Sequence, residues 1–364
     1  MRIVQIAPSV DPSRGGQEQL VQELVQELIK LGHEVTLITC DQNVNVRIPC
    51  DFRHVSALKV PGLPWIPSLT SLIKHLRSGF DICHIHYLAL FGEIAAVACK
   101  TCKIPIVTTF WAEGKRRNYM VVYDRVTIHL ISQLSDRLAC LSEVLKNVLV
   151  RRGLEGRKIR VIPTAIYVGK LERTSGQGVT GGHCNYDLLF VGRLEERKGL
   201  QYLLRALVIL GQRGFAPKLK VIGDGNYRNR LLSFVNDNFL SSQVTFAGYM
   251  PREDIFESYL GAKCVVIPSL YEGIPRVALE AMAYGKPIIT TSIPGLEIVS
   301  NKKLGIVIPP KDSESLANAI LQVLSLPPEE LRKIELRSKE AVRSYDWSNV
   351  VNKIVSVYNE CVGL

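Results

Sequence analysis

The chain has 364 residues, enough for two domains that each bury a core, and its 47% hydrophobic and 22% charged residues are ordinary for a globular protein. It has no run of eighteen or more apolar residues, so no membrane-spanning helix is predicted, and nine cysteines beside a large core argue for reduced thiols over a disulfide framework. A net charge of +11 suits phosphates or anionic lipid, but no long Lys/Arg run or nucleic-acid signature is present, so nucleic acid is not expected as a partner.

The N-terminal half alternates strand-like and helix-like segments. It opens on a strand candidate and lacks the features of an export signal, which predicts a cytoplasmic protein. The first helix, over 15–33, has one apolar face and a glycine, Gly32, placed to end it. That face consists of Val21, Leu24, Val25, Leu28 and Leu31. Strand candidates are 2–7, 34–39, 81–86, 105–110 and 137–142. Strand, helix, strand at this spacing implies a parallel sheet with right-handed crossovers.

The C-terminal half repeats the pattern. Its strand candidates are 187–192, 218–223, 243–248, 264–269 and 287–290, and its helix candidates begin near Gly199, Asn226, Arg252 and Arg276. From Asp312 the tail is predicted to be helical, with a break at Pro327 and Pro328. The fold class predicted is therefore α/β, with two doubly wound, Rossmann-like domains that face a central cleft.

The predicted domain boundaries follow from a stretch of turn composition. Residues 169–182 contain LERTSGQGVTGG, which has no apolar period and indicates a linker. We accordingly expect an N-terminal domain over 1–165, a linker over 166–185, a C-terminal domain over 186–345 and a final helix over 346–364.

The most informative segment is SLYEGIPRVALEAMAYGKPII. Glu272 and Glu280 stand eight residues apart, with Pro275 near the start of a predicted helix and Gly285 just past its end. A helix N-terminus offers free N–H groups to a diphosphate, and two carboxylates suit the hydroxyls of a sugar and a ribose. The alternative is a capping acid followed by a solvated helix glutamate.

The segment FVGRLEERKGLQYLL gives a second signal. Arg193 and Lys198 follow a buried strand and flank the entry to a helix. At the carboxyl edge of a sheet, two such cations can neutralise the charge that develops on a departing diphosphate. The alternative is a solvated loop, because Glu195, Glu196 and Arg197 make charge plentiful there.

Taken together, these segments resemble the retaining glycosyltransferases of family 4, which have the GT-B fold. The resemblance rests on SRGGQEQLVQEL, GRLEERKG, IGDGNYRNRL, YEGIPRVALEAMAYGKPII and PGLEIVSNKKLGIVIPPKD. It implies transfer of a sugar from a UDP- or GDP-sugar, with retention, to a hydroxyl of a glycan, glycolipid or lipid-linked acceptor held on the N-terminal side. The final helix is expected to cross back onto the N-terminal domain.

The resemblance also implies roles for individual residues. Arg193 and Lys198 would bind the donor diphosphate, Glu280 the ribose and Glu272 the transferred sugar, with Glu272, Arg193 and Lys198 as the catalytic set. The full donor-binding set implied is Gly15, Gly16, Arg193, Lys198, Glu272, Gly273, Ile274, Arg276, Val277 and Glu280. No cofactor is expected and no metal, since the sequence has no Asp-x-Asp.

Two departures from the family pattern bear on function. Trp111 stands where the family commonly has a histidine close to the donor sugar, and Thr164–Tyr167 replaces the usual Asn-Gly-Val-Asp. The first predicts an altered donor-sugar pocket in an active enzyme. The alternatives are a sugar-nucleotide-binding protein without turnover, or a sugar-nucleotide epimerase on the same fold.

The remaining motifs give weaker evidence about function. IGDGN lacks the third glycine of a dinucleotide fingerprint, and the Cys99–Cys102 pair lacks further zinc ligands. His84 and His86 point to the same face of a strand and are interpreted as structural rather than as metal ligands. The segments around Trp65 and 115–120 could line an acceptor site or touch the inner face of a membrane; ordinary exposed loops are the alternative.

Overall fold

The structure is a computed structural model that describes residues 1–11, 16–41, 48–58, 66–86, 90–111, 120–176, 185–272, 275–293 and 295–363. The chain divides into two compact units. The first comprises Met1–Ala165 together with Trp347–Leu364, and the second comprises Ile166–Asp346. In the described ranges, no helix is both long and apolar enough to cross a membrane.

The first unit is built on a parallel sheet whose described strands run in the order β3-β2-β1-β6-β7-β8-β9. These strands are β1 (Arg2–Ala7), β2 (Glu34–Thr39), β3 (Asp51–His54), β6 (Ile82–His86), β7 (Ile106–Phe110), β8 (Arg137–Cys140) and β9 (Ile159–Val161). Two short strands, β4 (Ala57–Leu58) and β5 (Ile66–Pro67), pair antiparallel beside it. The central strands β1, β6 and β7 are buried on both faces, which explains why most of their residues are apolar.

Helices cover this sheet. They are α1 (Gly16–Lys30), α2 (Leu69–Leu76), α3 (Phe91–Thr101), α4 (Met120–Leu134), α5 (Glu143–Arg151) and the C-terminal helix α14 (Trp347–Val362). Four of the five apolar residues predicted for the face of α1 are buried. Leu31 is 47% exposed, so its assignment to that face was wrong. The helix ends at Lys30, and the left-handed turn at Gly32 takes Leu31 off the face.

Polar contacts of three α14 residues, Trp347, Tyr358 and Glu360, hold the helix in the first unit. Trp347 Nε1 donates to the Glu23 carboxylate of α1 at 2.8 Å. The Tyr358 hydroxyl lies 2.9 Å from Gln5 Nε2 and 2.7 Å from His84 Nδ1. Near the end of the helix, Glu360 accepts hydrogen bonds from the guanidinium groups of two arginines on β8 and β9, which hold the pKa of its carboxyl below the usual range.

The second unit has a parallel sheet in the order β12-β11-β10-β13-β14-β15. Its strands are β10 (Tyr186–Val191), β11 (Leu219–Ile222), β12 (Val244–Phe246), β13 (Ala262–Ile267), β14 (Ile288–Thr291) and β15 (Gly305–Ile308). Its helices are α6 (Val168–Gly176), α7 (Leu200–Gln212), α8 (Arg228–Asp237), α9 (Arg252–Leu260), α10 (Arg276–Ala283), α11 (Glu297–Asn301), α12 (Ser313–Leu324) and α13 (Pro328–Val342). The tail is helical, and Pro328 begins α13, where its missing N–H has no helical partner to lose.

The segment predicted to be a structureless linker instead begins with a helix, α6. Val168 and Leu171 of this helix are buried in the core of the second unit. The Val168 N–H also donates to the Asp346 carboxylate at 2.8 Å. Among the described side chains of this helix, only these two are buried apolar ones, which is too few to show a helical periodicity in the sequence. Residues 177–184 of the same segment lie outside the described ranges.

Two strands of these sheets were not predicted from the sequence: β3 and β15. Each lies at an edge of its sheet. Strand β3 reads DFRH and has no buried residue, and β15 has four residues, GIVI, of which only Ile308 is buried, so neither shows a long buried run.

Candidate functional site

The candidate site lies in the second unit, where the direction of strand order reverses. β10 pairs with β11 on one side and with β13 on the other. Parallel strands at such a switch point leave a crevice outside their carboxyl ends, because the connections leave on opposite faces. The loop after β10 carries Arg193 and Lys198, and the loop after β13 carries Glu272. The fold therefore brings the two sequence signals to the same edge of one sheet.

Glycines allow these loops to approach each other closely. Gly199 has a left-handed φ of 73°, and a Cβ added there would lie 1.8 Å from the carbonyl oxygen of Pro268, just after β13. The backbone N–H of Leu270 donates to the carbonyl of Arg197 at 2.8 Å. Backbone contact between the two loops thus places the charged side chains of one beside those of the other.

A cluster of charged side chains occupies this junction. Lys198, in a short 3₁₀ turn, forms a direct ion pair with Glu272, and their side chains are only 17% and 10% exposed. The same Glu272 oxygen accepts a hydrogen bond from Ser269 Oγ at 3.1 Å. Arg197 Nη1 lies 3.6 Å from it. Such a little-exposed carboxylate is stabilised by several donors at once.

Arg193 joins the cluster through Glu195. Its Nη1 lies 3.0 Å from one Glu195 oxygen, while the other oxygen accepts from Arg197 Nε at 2.6 Å. Arg193 is 52% exposed, far more than Lys198. The charges therefore alternate in sign from Arg193 through Glu195, Arg197 and Glu272 to Lys198. An incoming diphosphate can replace the carboxylates as partner of these cations, because both ligands present anionic oxygens to the same donors.

Helix α10 supplies the second carboxylate. Pro275 precedes its first residue, Arg276, and Val277 is next along the helix. Glu280 lies on the second turn, is only 7% exposed, and accepts a hydrogen bond from the Tyr259 hydroxyl at 2.6 Å. The alternative of a solvated helix glutamate is therefore wrong for Glu280. A nearly buried carboxylate is costly to desolvate, and hydrogen bonds such as this one offset part of that cost.

The remaining sequence-predicted residues are placed as follows. Gly16 is the first residue of α1, and Trp111 follows the last residue of β7 in the first unit. Gly15, Gly273 and Ile274 lie outside the described residues, as do Trp65 and residues 115–119 of the two candidate acceptor segments. In the described ranges, no group of three or more metal-ligating side chains comes together.

Three residues of the site were missed by sequence reasoning: Arg197, Ser269 and Tyr259. Arg197 was interpreted as background charge, although it lies between Glu195 and Glu272. Ser269 could have been found from its position three residues before Glu272 at a strand end. Tyr259 is 21 residues before Glu280 on a different helix, so no local signal connects them.

The family described as Glycosyl transferases group 1 matches residues 184–340, which contain the whole charged cluster and α10. The family described as Glycosyltransferase Family 4 matches residues 14–169. The glycogen synthase of Mycobacterium tuberculosis is 31% identical over 286 residues, which cover 76% of this chain and 68% of the relative. The chain therefore belongs to the glycosyltransferases described by these two family models.

Further comparisons agree with membership of the glycosyltransferase family. An Escherichia coli enzyme named UDP-Gal:alpha-D-GlcNAc-diphosphoundecaprenol alpha-1,3-galactosyltransferase is 28% identical over 86% of this chain and 83% of its own length. The crystal structure of Anabaena HepE in complex with UDP-glucose superimposes with a TM-score of 0.80 at 18% identity, covering 99% of this chain and 100% of that one. This structural likeness shows the predicted GT-B fold, with its two Rossmann-like α/β domains.

Proposed function

We propose that this glycosyltransferase moves a sugar from a UDP- or GDP-sugar to a hydroxyl of a glycan, glycolipid or lipid-linked acceptor, with retention of anomeric configuration. The observation that carries the proposal is the Lys198–Glu272 pair at the switch point of the second sheet. A cation and a carboxylate held together there can bind the two parts of such a donor, its diphosphate and its sugar.

The named relatives support both ends of this reaction. One relative is named as a UDP-galactose-dependent enzyme with a diphosphoundecaprenol-linked acceptor, and another as a glycogen synthase. A structural neighbour was crystallised with UDP-glucose. A nucleotide-sugar donor is therefore the substrate class to test first, with one lipid-linked and one glycan acceptor.

The charged cluster supports a sequence of events on donor binding. Lys198 and Arg193 would exchange their carboxylate partners for the diphosphate, and the start of α10 would add the positive end of a helix dipole. Glu272, released from Lys198, would accept hydrogen bonds from sugar hydroxyls. Glu280 would do the same for the ribose.

In the transfer itself, the bond between the anomeric carbon and the donor phosphate breaks while the acceptor oxygen bonds to that carbon. The electron pair leaves with the nucleoside diphosphate, whose growing charge Lys198 and Arg193 would stabilise. The acceptor proton would pass to the leaving phosphate. We assign no protein base and no metal ion to these steps.

The test is a transfer assay with radiolabelled UDP- and GDP-sugars, each offered with a lipid-linked and a soluble glycan acceptor. We expect labelled product with one donor, with retained configuration by NMR, and undiminished activity in excess EDTA. A protein that is stabilised by UDP or GDP in thermal shift but transfers nothing is the binding protein suggested by Trp111. Conversion of the donor sugar without an acceptor would indicate an epimerase. Loss of activity in EDTA that Mg²⁺ restores would overturn the metal-free phosphate site.

A further inference from the structure

The first unit contains a second potential site, a cavity of about 30 Å³ between its sheet and the helices α1 and α14. Its walls are mostly apolar side chains, including Leu20 of α1 and Val350 of α14. Its polar lining residues are His84 and His86 on β6, Thr109 on β7, Trp111 after β7, Thr164 after β9 and Trp347 at the start of α14. A cavity this small accepts one or two waters or a single hydroxyl-bearing carbon.

Three polar atoms in this lining have no hydrogen-bond partner among the residues that the structure describes: His86 Nδ1, Trp111 Nε1 and Thr164 Oγ1. His86 and Thr164 are almost completely buried. The His86 and Trp111 rings stack, with centroids 5.6 Å apart and planes 29° apart. Buried polar atoms are nearly always satisfied in folded proteins, so three of them around one cavity indicate a missing partner.

A buried hydrogen-bond network determines which nitrogen of His86 carries the proton, whereas an indole N–H can only donate and a threonine hydroxyl can donate or accept. Gln5 Nε2 donates to the Tyr358 hydroxyl, which in turn lies 2.7 Å from His84 Nδ1. His84 Nε2 lies 2.7 Å from the Thr109 hydroxyl. The Gln5 oxygen accepts from His86 Nε2 at 2.8 Å, so in a neutral ring Nδ1 carries the lone pair. The cavity therefore presents an acceptor at His86, a donor at Trp111, and a hydroxyl at Thr164 that can serve as either.

The charge of the occupant is limited by the same surroundings. The lining residues that the structure describes are all uncharged once the two histidines are neutral. Burial lowers the pKa of His84 to about 3 and the pKa of His86 well below its usual range, with the neighbouring His84 adding to the effect. An anion or a cation in this cavity would be desolvated without a counter-charge.

We propose that this cavity is a binding site for a neutral hydroxyl group, which donates to His86 Nδ1 and accepts from Trp111 Nε1 and Thr164. The hydroxyl is supplied by an ordered water or by a carbohydrate. A hydroxyl is the smallest group that is both donor and acceptor, which the three atoms together require. Only the carbohydrate source rests on the proposed transferase activity.

The first test uses the sign of a stability change. If the cavity holds a hydroxyl, Thr164→Val breaks a hydrogen bond and the melting temperature falls, by about 2–4 °C for a unit of this size. If the cavity is empty, the same variant replaces an unpaired buried hydroxyl by a methyl group, and the melting temperature stays or rises. Thr108→Val is the matched control, because the buried Thr108 hydroxyl has a known partner, Ser135 Oγ at 2.7 Å. If the melting temperature falls for Thr108→Val but not for Thr164→Val, the proposal is overturned.

The second test is a crystal structure of the wild-type protein, which needs no variant to fold. We expect one ordered oxygen within about 2.7–3.2 Å of both His86 Nδ1 and Trp111 Nε1. An empty cavity, or an ion in it, overturns the proposal.

Thermal shift then distinguishes the two sources, with methyl α-D-glucopyranoside as neutral probe and glucuronate as anionic probe. If only the neutral probe stabilises the wild type, and it does not stabilise Thr164→Val, the hydroxyl belongs to a carbohydrate. If neither probe changes the melting temperature and the crystal structure shows the ordered oxygen, the hydroxyl belongs to water. A larger effect of glucuronate contradicts the neutral site. These readouts do not depend on turnover, so they stand whether or not the transfer assay succeeds.

Discussion

Lys198 and Arg193 are both expected to bind the donor diphosphate, but the structure gives them different surroundings. Lys198 is little exposed and paired with Glu272, whereas Arg193 is half exposed and paired with Glu195. We expect Ala at either position to lower turnover by about 10²-fold or more, because each variant loses a charge-assisted contact that strengthens in the transition state. Only Lys198→Ala should also lower the free energy of unfolding clearly, since it leaves the Glu272 carboxylate short of a partner.

Transfer kinetics and urea unfolding of each variant check this expectation. Arg205→Ala is the matched control, because it removes an exposed cation on α7 outside the charged cluster. Unchanged kinetics in Lys198→Ala or Arg193→Ala would defeat its assignment to the phosphates. Equal stability loss in both variants would contradict the difference in their surroundings.

The two glutamates are expected to divide the donor between them. Glu280→Gln should weaken binding of free UDP or GDP, because an amide oxygen accepts weaker hydrogen bonds from ribose hydroxyls than a carboxylate does; each such bond to a charged group is worth roughly 1.5–3 kcal/mol. Glu272→Gln should leave free-nucleotide affinity nearly intact and lower turnover of the sugar-bearing donor. Calorimetry with free nucleotide, run beside transfer kinetics, measures both effects.

The hydroxyl of Tyr259 provides a further comparison, because it donates to Glu280 within the second unit. Tyr259→Phe should weaken nucleotide binding, as Glu280→Gln does. It should leave the contacts of Glu272 with Lys198 and Ser269 unchanged. Equal loss of nucleotide affinity in Glu272→Gln and Glu280→Gln would refute the division of labour, though not the fold.

At the scale of elements, the entry to α7 determines where Lys198 lies. Gly199 joins the 3₁₀ turn to the helix with a left-handed backbone, and its missing Cβ is the space that the Pro268 carbonyl occupies. Gly199→Ala must therefore separate the loops after β10 and β13. We expect it to lower both the free energy of unfolding and turnover, by moving Lys198 away from Glu272.

Gly214 is the matched control, since it has a similar φ of 81° and nothing within 4 Å of an added Cβ. Gly214→Ala should cost about 1–2 kcal/mol, the strain of a left-handed alanine alone, and should leave turnover unchanged. Urea unfolding and transfer kinetics of both variants decide the matter. Equal effects of the two substitutions would show that the approach to Pro268 is unimportant.

For the whole molecule, the two buried histidines predict a pH dependence of stability in the first unit. In the unfolded chain, histidine takes up a proton near its ordinary pKa of about 6.5, whereas burial keeps His84 and His86 neutral in the folded unit far below that pH. The unfolded state then binds more protons, so the free energy of unfolding falls as pH drops below about 6.5, by up to ~1.4 kcal/mol per pH unit for each ring.

Tryptophan fluorescence measures this unit selectively, because all three tryptophans of the chain (Trp65, Trp111 and Trp347) belong to it. Urea unfolding between about pH 6.5 and 5 avoids most carboxylate titration. His86→Gln should reduce the slope of stability against pH, and Thr108→Val, which changes a buried residue of the same unit but removes no titratable group, should not. A flat profile for the wild type would contradict the buried neutral pair.

The sequence by itself determined the alternation of strands and helices in both halves, because central parallel strands are buried on both faces and are therefore mostly apolar. It also located the two charged segments. Only the tertiary structure decided the partners: Lys198 meets Glu272, 74 residues away, because β10 pairs with β13. Likewise Gln5 meets Tyr358 across 353 residues because α14 packs into the first unit. Strands β3 and β15 and helix α6 bury too few side chains to show a clear pattern. Contacts between distant residues depend on tertiary packing, which local sequence periodicity does not reveal.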